Sequence, residues 1–129
     1  VVCGGRRASD KSFGYHPTVL TNVAFDAAIL KEEIFGPVAP IVKFSDKDDI
    51  LAHCNSVEHG LVSYVFTRDV GRGLKFAEAL ETGMIGLNRG LVSDPAAPFG
   101  GVKASGLGRE GGHDGLLAFL ETKYVAGNW

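Results

Sequence analysis

Apolar residues fall into short runs separated by polar stretches along this chain. The runs at Thr18–Leu20, 38–44, 61–67, Met84–Leu87 and 123–125 predict strands. Three intervening segments have helical spacing instead. Residues 46–54 place Ile50, Leu51 and Cys54 near one another, with Ser45 or Asp46 as the expected N-cap. Residues 70–81 group Leu74, Ala77 and Leu80, and Gly83 fits a helix stop. Residues 113–121 group Leu116, Leu117 and Leu120. Strand, helix, strand in succession predicts an α/β fold, a largely parallel sheet covered by helices with right-handed crossovers. No repeat or low-complexity linker interrupts the pattern. The last strand has no evident partner in the sequence.

Composition narrows the function. The chain has 129 residues, enough for one domain with a core. Its formal net charge of -2 disfavours a general binder of nucleic acid or anionic membrane, which carries a basic field. The longest apolar runs, such as residues 37–42, fall far short of the roughly 18–20 residues of a membrane span. Arg6 and Arg7 follow the first apolar residues with no apolar run after them, unlike a signal peptide. Val1-Val2-Cys3 starts as a strand with no lead-in, which reads as a cut within a longer protein. Two cysteines far apart, Cys3 and Cys54, suit free thiols in a reducing compartment, hence a cytoplasmic location.

Glycine is the compositional outlier. There are 18, about twice the usual share of roughly 7%, concentrated between Gly83 and Gly115. That density calls for tight turns or close backbone approach. It does not form a phosphate loop, because Lys103 is not followed by Ser or Thr. Nor does a clean strand precede it, as a dinucleotide-binding turn requires.

Four stretches together resemble the aldehyde dehydrogenase superfamily. They are Gly14-Tyr15-His16-Pro17-Thr18-Val19-Leu20, then Glu32-Glu33-Ile34-Phe35-Gly36-Pro37-Val38. The third is Asn88 followed by Pro98-Phe99-Gly100-Gly101-Val102-Lys103-Ala104-Ser105-Gly106. The fourth is Gly108-Arg109-Glu110, the helix after it, and Glu121-Thr122-Lys123-Tyr124-Val125. They stand in the family's order and spacing and cover nearly the whole chain. The resemblance implies residues 1–120 as the C-terminal part of the catalytic domain and 121–129 as a final oligomerisation strand.

It also implies roles, each against a plainer alternative. A surface glutamate is ordinarily just solvated. Yet Phe35-Gly36-Pro37 forces a turn after Glu33, and a carboxylate accepts two hydroxyl hydrogen bonds well, which suits a ribose diol. In the family this Glu binds the nicotinamide ribose of NAD or NADP, and the motif's Phe, here Phe35, packs near the nicotinamide. Phe99 matches an aromatic lining the substrate tunnel, although an aromatic before Gly-Gly is more often core. Ser93, before Asp94-Pro95, is by itself a turn residue. The stretch around it resembles succinate-semialdehyde members, whose Ser binds the substrate's distal carboxylate. Arg89 departs from the small or acidic residue expected there, and a solvated side chain is its simplest reading. Glu110 matches a proton-relay glutamate. Arg109, Glu121 and Tyr124 match positions supporting the subunit interface. His53, Cys54 and His59 have no common zinc spacing, so no metal site is expected.

Neither cysteine sits in the family's nucleophile motif. In the implied chemistry a thiolate attacks the aldehyde, hydride passes to nicotinamide, and a glutamate activates water. The thiol, that base and the cofactor loops lie upstream in relatives. Three readings remain: part of a homo-oligomeric succinic-semialdehyde-oxidising enzyme acting on a short aldehyde, part of a generic aldehyde dehydrogenase, or a non-catalytic assembly module of the same fold.

Overall fold

The computed structural model describes all residues from Val1 to Trp129. They form two compact units, Val1–Val57 and Glu58–Trp129.

The first unit is built on strands β1 (Thr18–Leu20) and β2 (Val38–Pro40), paired parallel with Thr18 opposite Val38. The incoming chain lies against β1, where Val2 N–H donates to the Val19 carbonyl at 2.8 Å. Thr18 is almost wholly buried. Its hydroxyl accepts from Gly5 N–H at 2.8 Å and donates to the His16 carbonyl at 2.7 Å. Gly4 adopts φ 72°, and a Cβ there would collide with the Pro17 carbonyl and the Thr18 hydroxyl.

Strand β2 ends well before the expected residue 44. Pro40 has no N–H to continue the ladder, and Ile41 N–H closes it by donating to the Leu20 carbonyl at 2.8 Å. Helix α1 (Ile50–Asn55) begins later than expected, with Asp49 as its N-cap accepting from Ala52 N–H at 3.0 Å. Ser45 cannot cap it. Its N–H and hydroxyl both donate to the Asp48 carboxylate, closing a separate turn and holding that carboxyl below the usual carboxylate value.

In the second unit β4 (Val62–Val65) pairs parallel with β5 (Met84–Leu87), joined by helix α2 (Val70–Ala79). Asp69 caps α2, accepting from Arg72 N–H at 3.0 Å. Gly73, on the helix, lies so close to Leu87 that a Cβ would reach 2.9 Å from its Cδ1. Leu80 and Met84 are the buried apolar side chains. The expected run 61–67 narrows to β4, and just before it β3 (His59–Gly60) pairs antiparallel with β6 (Val102–Lys103).

Gly83 is not the helix stop expected of it. The helix ends at Ala79, and Leu80 turns extended while its N–H still bonds to the Phe76 carbonyl. Gly83 serves a close approach: a Cβ would collide with the Gly100 carbonyl.

Helix α3 (Gly112–Leu117) is shorter than expected. Tighter turns follow it, with Phe119 and Leu120 N–H donating three residues back. Residues 120–129 carry no helix or strand. No helix is long and apolar enough to cross a membrane.

Candidate functional site

In the first unit, Ala28–Leu30 form one turn of 3-10 helix, closed by Lys31 N–H on the Ala28 carbonyl. Glu33 follows as loop, so its carboxylate leaves that turn and not an α-helix end. It is exposed and has no hydrogen bond or ion pair within the chain. Both carboxylate oxygens are therefore free to accept. Phe35, two residues on, adopts φ 38°, in the left-handed region that a bulky side chain rarely enters. The residue is 94% exposed. The chain then returns at once to β2, with Val38 N–H on the Gly36 carbonyl at 2.8 Å. An unpaired carboxylate and an outward phenyl on a strained turn fit a ribose diol and a flat heterocycle.

In the second unit the glycine-rich segment is a closed loop. Phe99 and Glu110 exchange backbone hydrogen bonds at 2.6 and 2.7 Å, pinning its two ends. Arg109 staples it from inside, one guanidinium nitrogen donating to the Gly101 carbonyl at 2.9 Å and the Gly108 carbonyl at 2.7 Å. Gly100 lies against this staple, where a Cβ would come within 2.9 Å of the Arg109 side chain. Ser105 ties the loop to β3, accepting from Gly60 N–H at 2.9 Å. Phe99, Arg109, Glu110, Leu61 and Phe119 line a cavity of about 220 Å³.

The spacing Gly106-x-Gly108-x-x-Gly111 runs through this loop. Its context is not that of a dinucleotide turn: β6 before it has two residues and pairs antiparallel, and α3 after it has six.

Ser93 stands on a separate loop leaving β5. It is exposed, and its hydroxyl has no partner within the chain. Asp94 makes the turn in its place, accepting from Ala96 N–H at 2.9 Å through the side chain and from Ala97 N–H at 3.0 Å through its carbonyl. Asp94 thus caps the turn, and Ser93 is not consumed by it.

The structure brings Phe99, Arg109 and Glu110 together and sets Glu33 beside Phe35. Ser93 lies apart on its own loop. Glu121 and Tyr124 lie in the exposed terminal segment, unpaired within this chain. Two residues of the resembling stretches have structural roles that were not read in the sequence. Ser105 is signalled only by its place after the glycine pair. Asn88 is signalled only as an amide ending a strand, and its two bonds to Thr67 described below could not be read from it.

The other candidates resolve simply. His53 stacks on Phe25 with ring centroids 3.9 Å apart. Although Cys54 is exposed, partial desolvation still pushes its thiol up from the ordinary value, the reverse of what a nucleophile needs.

The model of the aldehyde dehydrogenase family matches residues 1–125. A succinate-semialdehyde dehydrogenase of Paenarthrobacter nicotinovorans is 48% identical over 96% of this chain and 28% of its own length. A glutarate-semialdehyde dehydrogenase of Pseudomonas putida is 49% identical over 97% of this chain and 26% of its own. The crystal structure of an E. coli NADP-dependent enzyme superposes with a TM-score of 0.89 at 46% identity, over 96% of this chain and 26% of that one. The chain spans about a quarter of the length of the curated relatives it matches. The chain belongs to the aldehyde dehydrogenase family.

Proposed function

We propose that this chain is the C-terminal part of the catalytic domain of an NAD(P)-dependent enzyme that oxidises succinic semialdehyde to succinate. The single observation behind the substrate is Ser93, an exposed hydroxyl left free because Asp94 caps the turn beside it. Such a hydroxyl can donate to a carboxylate at the far end of a short aldehyde. Similar proteins are named for succinate semialdehyde, glutarate semialdehyde and 3-sulfolactaldehyde. Each of those aldehydes carries an anionic group away from the reacting carbon, which is the chemistry Ser93 would meet.

Each unit contributes a different part. Glu33 would hold a dinucleotide by accepting from its ribose hydroxyls, and Phe35 would offer its ring to the nicotinamide. The bound dinucleotide supplies the hydride acceptor. Phe99 gives an apolar wall to the substrate tunnel, and Glu110, held to it by two backbone bonds, relays a proton. Arg109 keeps that loop in shape. The nucleophilic thiol and the general base come from elsewhere in the full-length protein.

The apolar surface supports a piece of something larger. Leu116, Leu117, Phe119 and Leu120 on and after α3, and Tyr124 and Val125 in the tail, are all more than half exposed. Exposed apolar surface of that kind marks an interface. Glu121 and Tyr124, in a tail that forms no strand within this chain, would form one that pairs beyond it, in a homodimer or homotetramer, with Arg109 supporting the contact.

The test is the full-length protein assayed with succinic semialdehyde, glutaric semialdehyde and butanal, each with NAD and with NADP. The expected result is NAD(P) reduction fastest with a carboxylate-bearing aldehyde. Equal rates with butanal would favour a generic aldehyde dehydrogenase, and no reduction with any would favour an assembly module.

A further inference from the structure

Asn88 does the work of a strand residue with its side chain. Its backbone N–H donates to the Val65 carbonyl at 2.8 Å, one step beyond the last ladder pair, Val65 opposite Leu87. At that point its own backbone turns away, to φ 52°. The amide then takes over. Oδ1 accepts from Thr67 N–H at 2.8 Å, and Nδ2 donates to the Thr67 carbonyl at 2.8 Å. One donor and one acceptor, side by side, are what the next residue of a strand would offer.

The consequence is geometric. The hydrogen-bond register continues on the side chain while the main chain leaves the sheet. The reversal is tight: a Cβ on Gly86 would lie 3.0 Å from the Arg89 carbonyl, with the Tyr64 ring closer still. Thr67 is held in its turn, its hydroxyl accepting from the N–H of Asp69, the cap of α2. A chain of bonds thus runs from α2 through Thr67 to Asn88. β4 and β5 are parallel, so this happens at their shared C-terminal edge, where ligands of α/β sheets bind. Five residues later comes Ser93.

We propose that Asn88 is a positioning residue for substrate selection: its amide sets the direction in which the Ser93 loop leaves the sheet. This rests on the reading of Ser93 given above. Only Asn fits all three demands. Asp would accept from Thr67 N–H but set a second oxygen against the Thr67 carbonyl. Gly would accept the left-handed backbone but make neither bond. Gln, one methylene longer, would not reach the same geometry from this backbone.

The experiment compares Asn88→Asp, Asn88→Gly, Ser93→Ala and the double variant Asn88→Asp with Ser93→Ala in the full-length enzyme. The substrates are succinic semialdehyde and butanal, with KM and kcat measured separately and Tm recorded. The expected result for Asn88→Asp is a KM for succinic semialdehyde raised about tenfold, with the constants for butanal little changed. The double variant should lose no more selectivity than Ser93→Ala alone, because both act through one contact. If Asn88→Asp does not fold, Asn88→Gly, which suits the backbone, carries the same comparison. Equal losses with both substrates, or selectivity losses that multiply in the double variant, would overturn the role of Asn88. If Ser93→Ala changes selectivity and neither Asn88 variant does, the Asn88 proposal falls alone. If Ser93→Ala leaves selectivity unchanged, the reading of Ser93 falls and takes this proposal with it.

Discussion

Phe99 and Glu110 hold each other by a reciprocal pair of backbone hydrogen bonds, 2.6 and 2.7 Å long. Everything between them is loop or two-residue strand, yet both ends and the Arg109 staple meet around one cavity. The aromatic assigned to the tunnel and the glutamate assigned to proton relay are therefore one mechanical unit.

Arg109→Lys should disturb that unit although the charge remains. A lysine ammonium lies one bond nearer the backbone than the guanidinium nitrogen that donates to both the Gly101 and Gly108 carbonyls, and it lacks that nitrogen's fixed planar direction. The expected loss is about 1–3 kcal/mol in denaturant unfolding of the full-length protein. Activity should fall with every aldehyde alike, since the loop and not the carboxylate contact is affected. A variant with unchanged midpoint and slope would show that the staple adds nothing.

Two glycines should respond oppositely to alanine. A Cβ at Gly83 meets the Gly100 backbone, which has no flexible end to yield, so Gly83→Ala should cost about 1–3 kcal/mol. Gly90 has nothing within 4 Å of the added Cβ and no positive φ. Gly90→Ala should be neutral or stabilise by about 0.4–1 kcal/mol through the unfolded chain. Thermal melts of the two variants side by side check both signs.

How much of this was legible beforehand depended on where the deciding interaction lay. β1, β5 and α2 were readable because local pattern sets them: the short apolar runs at Thr18–Leu20 and Met84–Leu87, and Leu74, Ala77 and Leu80 at helical spacing. Distant partners decided the rest. Ser45 looked like a helix cap until Asp48 claimed it. Gly83 looked like a helix stop, whereas its reason is the backbone of Gly100, far along the chain. β3 and β6 are too short for any periodicity to reveal. The roles proposed for Glu33, Phe35, Ser93, Phe99 and Glu110 rest on the family resemblance. The left-handed turn at Phe35 and the two-bond grip of Asn88 on Thr67 were not legible, because both are three-dimensional facts.

The chain by itself should not oxidise aldehydes. Neither Cys3 nor Cys54 sits in the family's nucleophile motif, and the Cys54 thiol is raised by desolvation, so at neutral pH it stays protonated. Mixing the 129-residue chain with succinic semialdehyde and either dinucleotide should give only background reduction of the dinucleotide. Turnover abolished by Cys3→Ala or Cys54→Ala would mean that a nucleophile is present here after all.

Glu33→Gln in the full-length enzyme should lower kcat more than it weakens dinucleotide binding. A neutral amide still accepts one ribose hydroxyl, so the cofactor stays while the alignment of its ring suffers. Fluorescence titration of the dinucleotide and steady-state kinetics on one preparation separate the two. Unchanged kcat with a large loss of affinity would contradict a positioning role.

Ser93→Ala tests the substrate assignment most directly. Losing a hydrogen bond to a charged group costs about 1.5–3 kcal/mol, or roughly tenfold to more than a hundredfold in specificity. In the full-length enzyme kcat/KM for succinic semialdehyde should fall by about that factor, while kcat/KM for butanal, which has no carboxylate to lose, should hardly move. A fall of equal size with both aldehydes would make Ser93 a structural turn residue and contradict a carboxylate-reading site.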